Sequence, residues 1–365
     1  MSNVGLIIEE RAADIGNFMV GRLLPFKQKR SVGPFVFIDH MGPAKLKDYQ
    51  NLDVDVHPHI GLSTLTYLFE GAIIHRDSIG SEIEIQPGAV NWMTAGKGVT
   101  HSERTPEYLR TTEKSLHGLQ IWVALPKHLE EMEPSFYHIE AKDIPSWKEN
   151  ECDIKLIAGE AFNKKSPVPV HSKLYFLEIK SEESVTLNIG EHLYGEVAMY
   201  VMEGTVSIEN NEYGTKQLLI AKNSKLCQFS MSENTTVYLF GGTPFEEEHF
   251  IYWNFVNSDK NVIEKAKENF PNQWRSHNRQ ENTNPAKDLA WMEADLAKPL
   301  FPSSAFLEPL IFEENPTGIC FFFDMGEMQL GQFFVEGDFP EGSIIDIGFS
   351  EELNQEGLPW LYKRH

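Results

Sequence analysis

The sequence predicts an all-β protein made of two tandem β-barrels followed by a small β-rich element. Three observations carry this. Short apolar or alternating runs, separated by Gly, Pro, Asn and Asp, dominate to about residue 256. A weak internal repeat relates LTYLFEGAII at 65–74 to VAMYVMEGTVSI at 197–208, each with an acidic-Gly turn after an apolar strand (Glu70-Gly71 and Glu203-Gly204). Beyond residue 256 the pattern changes, first to a helical period and then to a polar stretch.

The runs in the first half are Val32–Asp39, Ser63–Phe69, Ile83–Gln86 and Leu119–Leu125. Those in the second are Ser172–Ile179, Val197–Met202, Gln217–Ala221 and Thr235–Gly241. Strands this short and this closely spaced suit a sandwich or barrel better than a parallel α/β sheet. The segment 126–150, polar and carrying Pro126, Pro134 and Pro145, reads as the join. The expected division is 1–130 for the first barrel, 131–275 for the second barrel plus a helix, 276–288 for a linker and 289–365 for the tail. Val262, Ile263 and Ala266 have helical spacing within 260–269, and Pro271 follows. In the tail, Ile319–Phe323, Gly331–Val335 and Ser343–Ile347 again look like strands.

Composition narrows the function. The 365 residues carry a formal charge of -22, which argues against direct nucleic-acid binding and against anionic lipid. No stretch of eighteen apolar residues is present to form a membrane helix, and the first residues do not read as a signal peptide. Three widely spaced cysteines, Cys152, Cys227 and Cys320, make a disulfide framework improbable. A cytoplasmic setting fits them.

The chemistry concentrates in two short motifs. HPHIG places His57 and His59 two residues apart, and HSE does the same for His101 and Glu103. On a strand, side chains two apart share a face. Two such strands paired across a barrel deliver three imidazoles and one carboxylate to one point. That donor set suits Fe, Mn, Ni, Cu or Zn rather than Ca or Mg alone. If the parity set by His57 and His59 persists along the chain, Ser63, Leu65 and Tyr67 line the same pocket. Gln120 and Trp122 share one face of their strand, whose direction stays open. His75 and Asp77 in HRDS are two apart and could face one side, but they read first as the polar edge of a hairpin. His40 reads as either a pocket or a turn residue. The second barrel has no equivalent motif: His192 stands alone and KLCQFS contains no histidine.

The joint spacing resembles the cupin pattern, with His-x-His on one strand and a further His beyond a Pro-Gly turn. One departure is informative. The glutamate that cupins carry four residues after the second histidine is replaced here by Ser63, and Glu103 supplies the carboxylate. The segments VGPFVFIDHMGPA, HPHIGLSTLTYLFEGAIIHRDS, WMTAGKGVTHSE and LHGLQIWVALP resemble the pirin family up to about residue 275. That resemblance implies a bicupin with one metal, most often Fe(II), in the N-terminal barrel. The ligands it implies are His57, His59, His101 and Glu103. The activity it implies is flavonol (quercetin-type) 2,3-dioxygenation with O2, in which Glu103 also moves a proton. An apolar barrel interior suits a flat aromatic substrate. The same resemblance implies an alternative, a non-catalytic iron-dependent redox sensor that acts on a protein partner. In the tail, DMGEMQLGQFFV and GFSEEL weakly resemble a jelly-roll segment of bacterial α-L-rhamnosidases, without the catalytic domain those enzymes carry.

Overall fold

The computed structural model describes residues 3–15, 18–222 and 228–267, with the short strands Trp291–Glu293 and Gly318–Cys320. The chain divides into two units, 1–274 and 275–365. In the second unit the two short strands pair in parallel, Trp291 opposite Gly318. The other tail strands, the linker 276–288 and Cys227 lie outside the described residues.

The first unit is a pair of β-barrels, each closed from a large sheet and a four-stranded sheet. The large sheet of the first barrel includes Phe35–Leu46, Leu62–Glu70, Val90–Thr94 and Lys114–Ala124. Its small sheet runs Asp53–His59, Val99–Arg104, Ile73–Asp77 and Glu82–Ile85, in that spatial order. The second barrel repeats the plan. Its large sheet contains Cys152–Ala161, Leu174–Ser181, Glu196–Glu203 and Thr235–Gly242, and its small sheet is built around Val185–Asn188 and Gln228–Met231.

Two strands cross the expected boundary at residue 130, so the barrels exchange strands. Val4–Glu9 pairs with Gln217–Ala221 and so extends the second barrel's large sheet. Ser135–Ile139 pairs with Val90–Thr94 in the first. Edge strands invite pairing, and here each large sheet covers an edge with a segment from the other half of the chain.

Alternation on the large sheets sorts side chains into two sets. One set faces its own barrel; the other enters a core shared by both. Phe35, Leu65, Tyr67, Trp92 and Ile121 of the first barrel pack there with Phe176, Tyr200, Tyr238 and Phe240 of the second. The rings of Phe35 and Phe240 lie 5.2 Å apart and tilted, a favourable aromatic geometry. Polar groups crossing the seam are matched. Glu178 accepts hydrogen bonds from Tyr67 (3.3 Å) and Tyr238 (2.8 Å) and pairs with Lys155 at 2.7 Å. His40, left open as a pocket or turn residue, belongs to this seam. Its Nδ1 lies 2.5 Å from Glu10, and its Nε2 lies 2.8 Å from His117.

The helix is present over 260–267. Ile263 and Ala266 pack on Ile60 and Phe255, where a hairpin formed by Phe250–Tyr252 and Phe255–Asn257 returns to the first barrel. No helix among the described residues is long and apolar enough to cross a membrane.

Candidate metal centre

The strand Val99–Arg104 lies between Asp53–His59 on one side and Ile73–Asp77 on the other. On the first side His101 is opposite His57, and a bulge between His101 and Glu103 brings Glu103 opposite Val54. On the other side His101 is opposite Asp77, and Glu103 is opposite His75. Directly opposed residues share a face, so this small sheet turns one row of titratable groups toward the barrel interior.

The donors form two overlapping groups. His57, His59 and His101 have ligand nitrogens within 4.8 Å of one another. His75, His101 and Glu103 meet the same limit. His101 belongs to both and links Glu103 to the three-histidine set. Ring centroids are 4.3 Å apart for His57 and His101, 4.9 Å for His57 and His59, and 5.0 Å for His59 and His101.

Two of the rings are held in one tautomer by backbone. His57 Nδ1–H donates to the Asp55 carbonyl at 2.7 Å. His59 Nδ1–H donates to the Asn254 carbonyl at 3.0 Å. With Nδ1 carrying the proton, Nε2 offers a lone pair, the usual way a second interaction prepares a histidine ligand. Burial lowers the pKa of His57 to about 4 and that of His59 well below its ordinary value. Both rings are therefore neutral at pH 7, the form that binds metals. Glu103 is buried, which raises its carboxyl pKa, and Thr66 donates to its Oε1 at 3.1 Å. Two neutral imidazoles and the ring of His101 beside a carboxylate form a set that fits a divalent transition metal.

The residues expected to line the pocket are placed otherwise. Gly61, at φ +67°, turns the chain between the small and large sheets, so parity does not carry across it. Leu65 and Tyr67 point into the shared core, away from the histidines. Ser63 bonds Thr94 at 3.0 Å. The neighbouring positions face the site instead: Thr66 contacts Glu103 and lies 2.9 Å from the Gln120 amide. Trp122 meets His59 edge-on at 5.0 Å, which settles the open direction of Gln120 and Trp122.

His75 and Asp77 are not a hairpin's polar edge. They are 3% and 5% exposed, and their side chains bond at 3.0 Å. The signal was available in the alternation of IIHRD, which repeats the one-face logic of His-x-His. A cavity of about 170 Å³ is lined by Ile60, Gly96, Lys97, Glu130, Asn257 and Val262, among others, and none of the donors borders it. Among the described residues, the second barrel brings no comparable donor group together. His192 there stacks on Phe162 at 4.1 Å.

Two cupin-type barrels, with a histidine-rich centre in the first and, among the described residues, none in the second, define a bicupin of the metal-binding type. The chain belongs to the pirin family: residues 17–123 match the Pirin domain and residues 175–275 the Pirin C-terminal cupin domain. It is 47% identical to a pirin-like protein of Caulobacter vibrioides over 267 residues, covering 72% of this chain and 92% of that one. A crystal structure of quercetin 2,3-dioxygenase from Acinetobacter baumannii superposes with a TM-score of 0.67 at 31% identity, covering 82% of this chain and 97% of that one. A second structure bearing the same enzyme name and source gives 0.67 at 27% identity, covering 74% and 97%.

Proposed function

We propose that this protein is a metal-dependent dioxygenase that cleaves flavonols of the quercetin type with O2, and that His57, His59, His101 and Glu103 hold its metal. The observation that carries this is the convergence of three imidazoles and a buried carboxylate in one barrel, in a chain similar over most of its length to a quercetin 2,3-dioxygenase. Fe(II) is the metal proposed, because the reaction couples a closed-shell substrate to O2; Mn, Ni, Cu and Zn are the alternatives that the same donors accept. Fe(II), when bound, would supply Lewis acidity toward a hydroxyl oxygen and one-electron chemistry toward O2.

The protein's own groups do the rest. His57 and His59, pinned through Nδ1, keep their Nε2 atoms aimed at one point. Trp122 beside His59 and the stacked Phe37 (4.0 Å) form an apolar wall suited to an aromatic ring system. Glu103 is the carboxylate placed to take the proton from a substrate hydroxyl. Burial raises its carboxyl pKa above the usual range, the direction that favours proton uptake. Thr66, donating to Oε1, holds the group in place while the other oxygen works.

The test is O2 uptake by metal-loaded protein with a flavonol under single-turnover conditions. Stoichiometric uptake with loss of the flavonol absorbance is expected. Metal-loaded wild type that consumes no O2 with any flavonol would overturn the reading and leave a redox-sensing role as the successor.

A further inference from the structure

Each histidine ligand must present an unprotonated ring nitrogen, which requires something to fix its tautomer. Backbone carbonyls do this for His57 and His59. His101 Nδ1 instead faces Nδ1 of a fourth histidine, His75, at 3.3 Å. Two facing ring nitrogens share one proton, so the tautomer of His101 follows from that of His75. The other nitrogen of His75, Nε2, lies 3.0 Å from Asp77 Oδ2. An ionised carboxylate only accepts. The proton of His75 therefore sits on Nε2, its Nδ1 accepts from His101 Nδ1–H, and His101 keeps its Nε2 lone pair for the centre.

We propose that Asp77 and His75 are positioning residues, joined to His101 in a hydrogen-bonded chain that sets the tautomer and orientation of this metal ligand. The surroundings are built for it. The ring of His75 is stacked on Phe136, with centroids 4.4 Å apart and planes 21° from parallel, so it cannot turn freely. Asp77 is held in turn: its Oδ1 accepts from the backbone N–H groups of Ile79 (3.1 Å) and Ser81 (2.9 Å). Strand pairing places Asp77 opposite His101 and His75 opposite Glu103, so the chain is part of the sheet register rather than a chance contact.

This inference rests on the metal-binding reading above, and its test is metal affinity rather than turnover. Metal-depleted full-length protein is titrated with Cu(II) against a competing chelator, and the remote ring nitrogens are read by electron spin-echo spectroscopy. Asp77→Asn is the informative variant. It can keep the acceptor that serves Ile79 and Ser81, while an amide N–H donor replaces Oδ2 and inverts the chain. Affinity should fall about 10–100-fold with a changed remote-nitrogen signal, the range for lost partners of a ligand, while the melting temperature of the metal-free protein stays close to wild type. His75→Leu should lose as much. His75→Asn, which returns an acceptor near the Nδ1 position, should recover most of it.

An Asp77→Asn protein with wild-type affinity and spectrum overturns the proposal. So does a His75→Asn protein as weak as His75→Leu, which would make the imidazole of His75 itself a ligand. If the wild type binds no Cu(II), the metal reading falls with this one; if it binds one ion and Asp77→Asn is unchanged, this inference alone falls.

Discussion

At the scale of single residues, the centre rests on His57 and His59, kept neutral by burial and held through Nδ1 by backbone carbonyls. Burial holds His57 at about 4 and His59 well below its ordinary value, whereas in an unfolded chain both titrate near 6.5. Between these values the unfolded state binds more protons than the folded one. The stability of the metal-free protein should then be full above about pH 6.5 and fall as pH drops toward 4. Protons also compete with metal, but in the folded protein only near the lowered pKa, so retention of metal after dialysis should hold through neutral pH and decline as pH nears 4. A flat denaturation midpoint from pH 7 to 4.5 would contradict the buried, neutral assignment. His101→Ala should lose its metal while His192→Ala keeps it, read by metal analysis after mild purification, since only His101 lies in the donor cluster. Glu103→Gln, if it retains metal, should lower flavonol turnover by about 10²–10⁴-fold, the usual cost of a lost proton-transfer group.

At the scale of elements, the hairpin over 250–257 decides whether the first barrel can hold its centre. It arrives from the far end of the second barrel, yet the Asn254 carbonyl pins His59 and Val256 N–H donates to the Ile60 carbonyl at 3.1 Å. The contact is close at Gly61. A Cβ there would lie 1.9 Å from the Val256 carbonyl oxygen, and its φ of +67° already favours glycine. Gly61→Ala should therefore push the hairpin away, costing about 1–3 kcal/mol for the backbone alone. Urea denaturation should show the loss of stability, and a chelator titration should show weaker metal binding alongside it. Stability lost with metal affinity unchanged would separate the hairpin from the centre.

At the scale of the whole molecule, the two barrels share one core and exchange strands. Phe176 lies in that core with Phe35, 6.5 Å between rings. Phe176→Ala should cost about 3–5 kcal/mol and lower the midpoint of one transition that involves both barrels. Two separated transitions would show the barrels to be independent. The donors and the covering hairpin all fall within 1–274. Removing 286–365 should leave metal content and any dioxygenase activity as in the full chain, and a truncated protein without metal would place the tail in the barrel fold.

The strand runs, the doubled barrel and the metal-type donor set were legible in the sequence because each is a local property. Apolar alternation has a period of two, and HPH and HSE each put two side chains on one face within three residues. His75 and Asp77 obey the same local rule, but that rule alone assigns them no role. Nothing near them says which strand they lie beside, and only the pairing with Val99–Arg104 brings them to His101 and Glu103. The pocket parity failed for a related reason. Gly61 resets the alternation, so Thr66 and Trp122 face the histidines while Leu65 and Tyr67 serve the seam between barrels. The exchange of Val4–Glu9 and the carbonyl of Asn254, 195 residues from His59, were beyond any local reading. By itself the sequence determined the kind of strands and the kind of donors. The tertiary structure decided which faces meet and what orients each ligand, because those depend on contacts between segments distant along the chain.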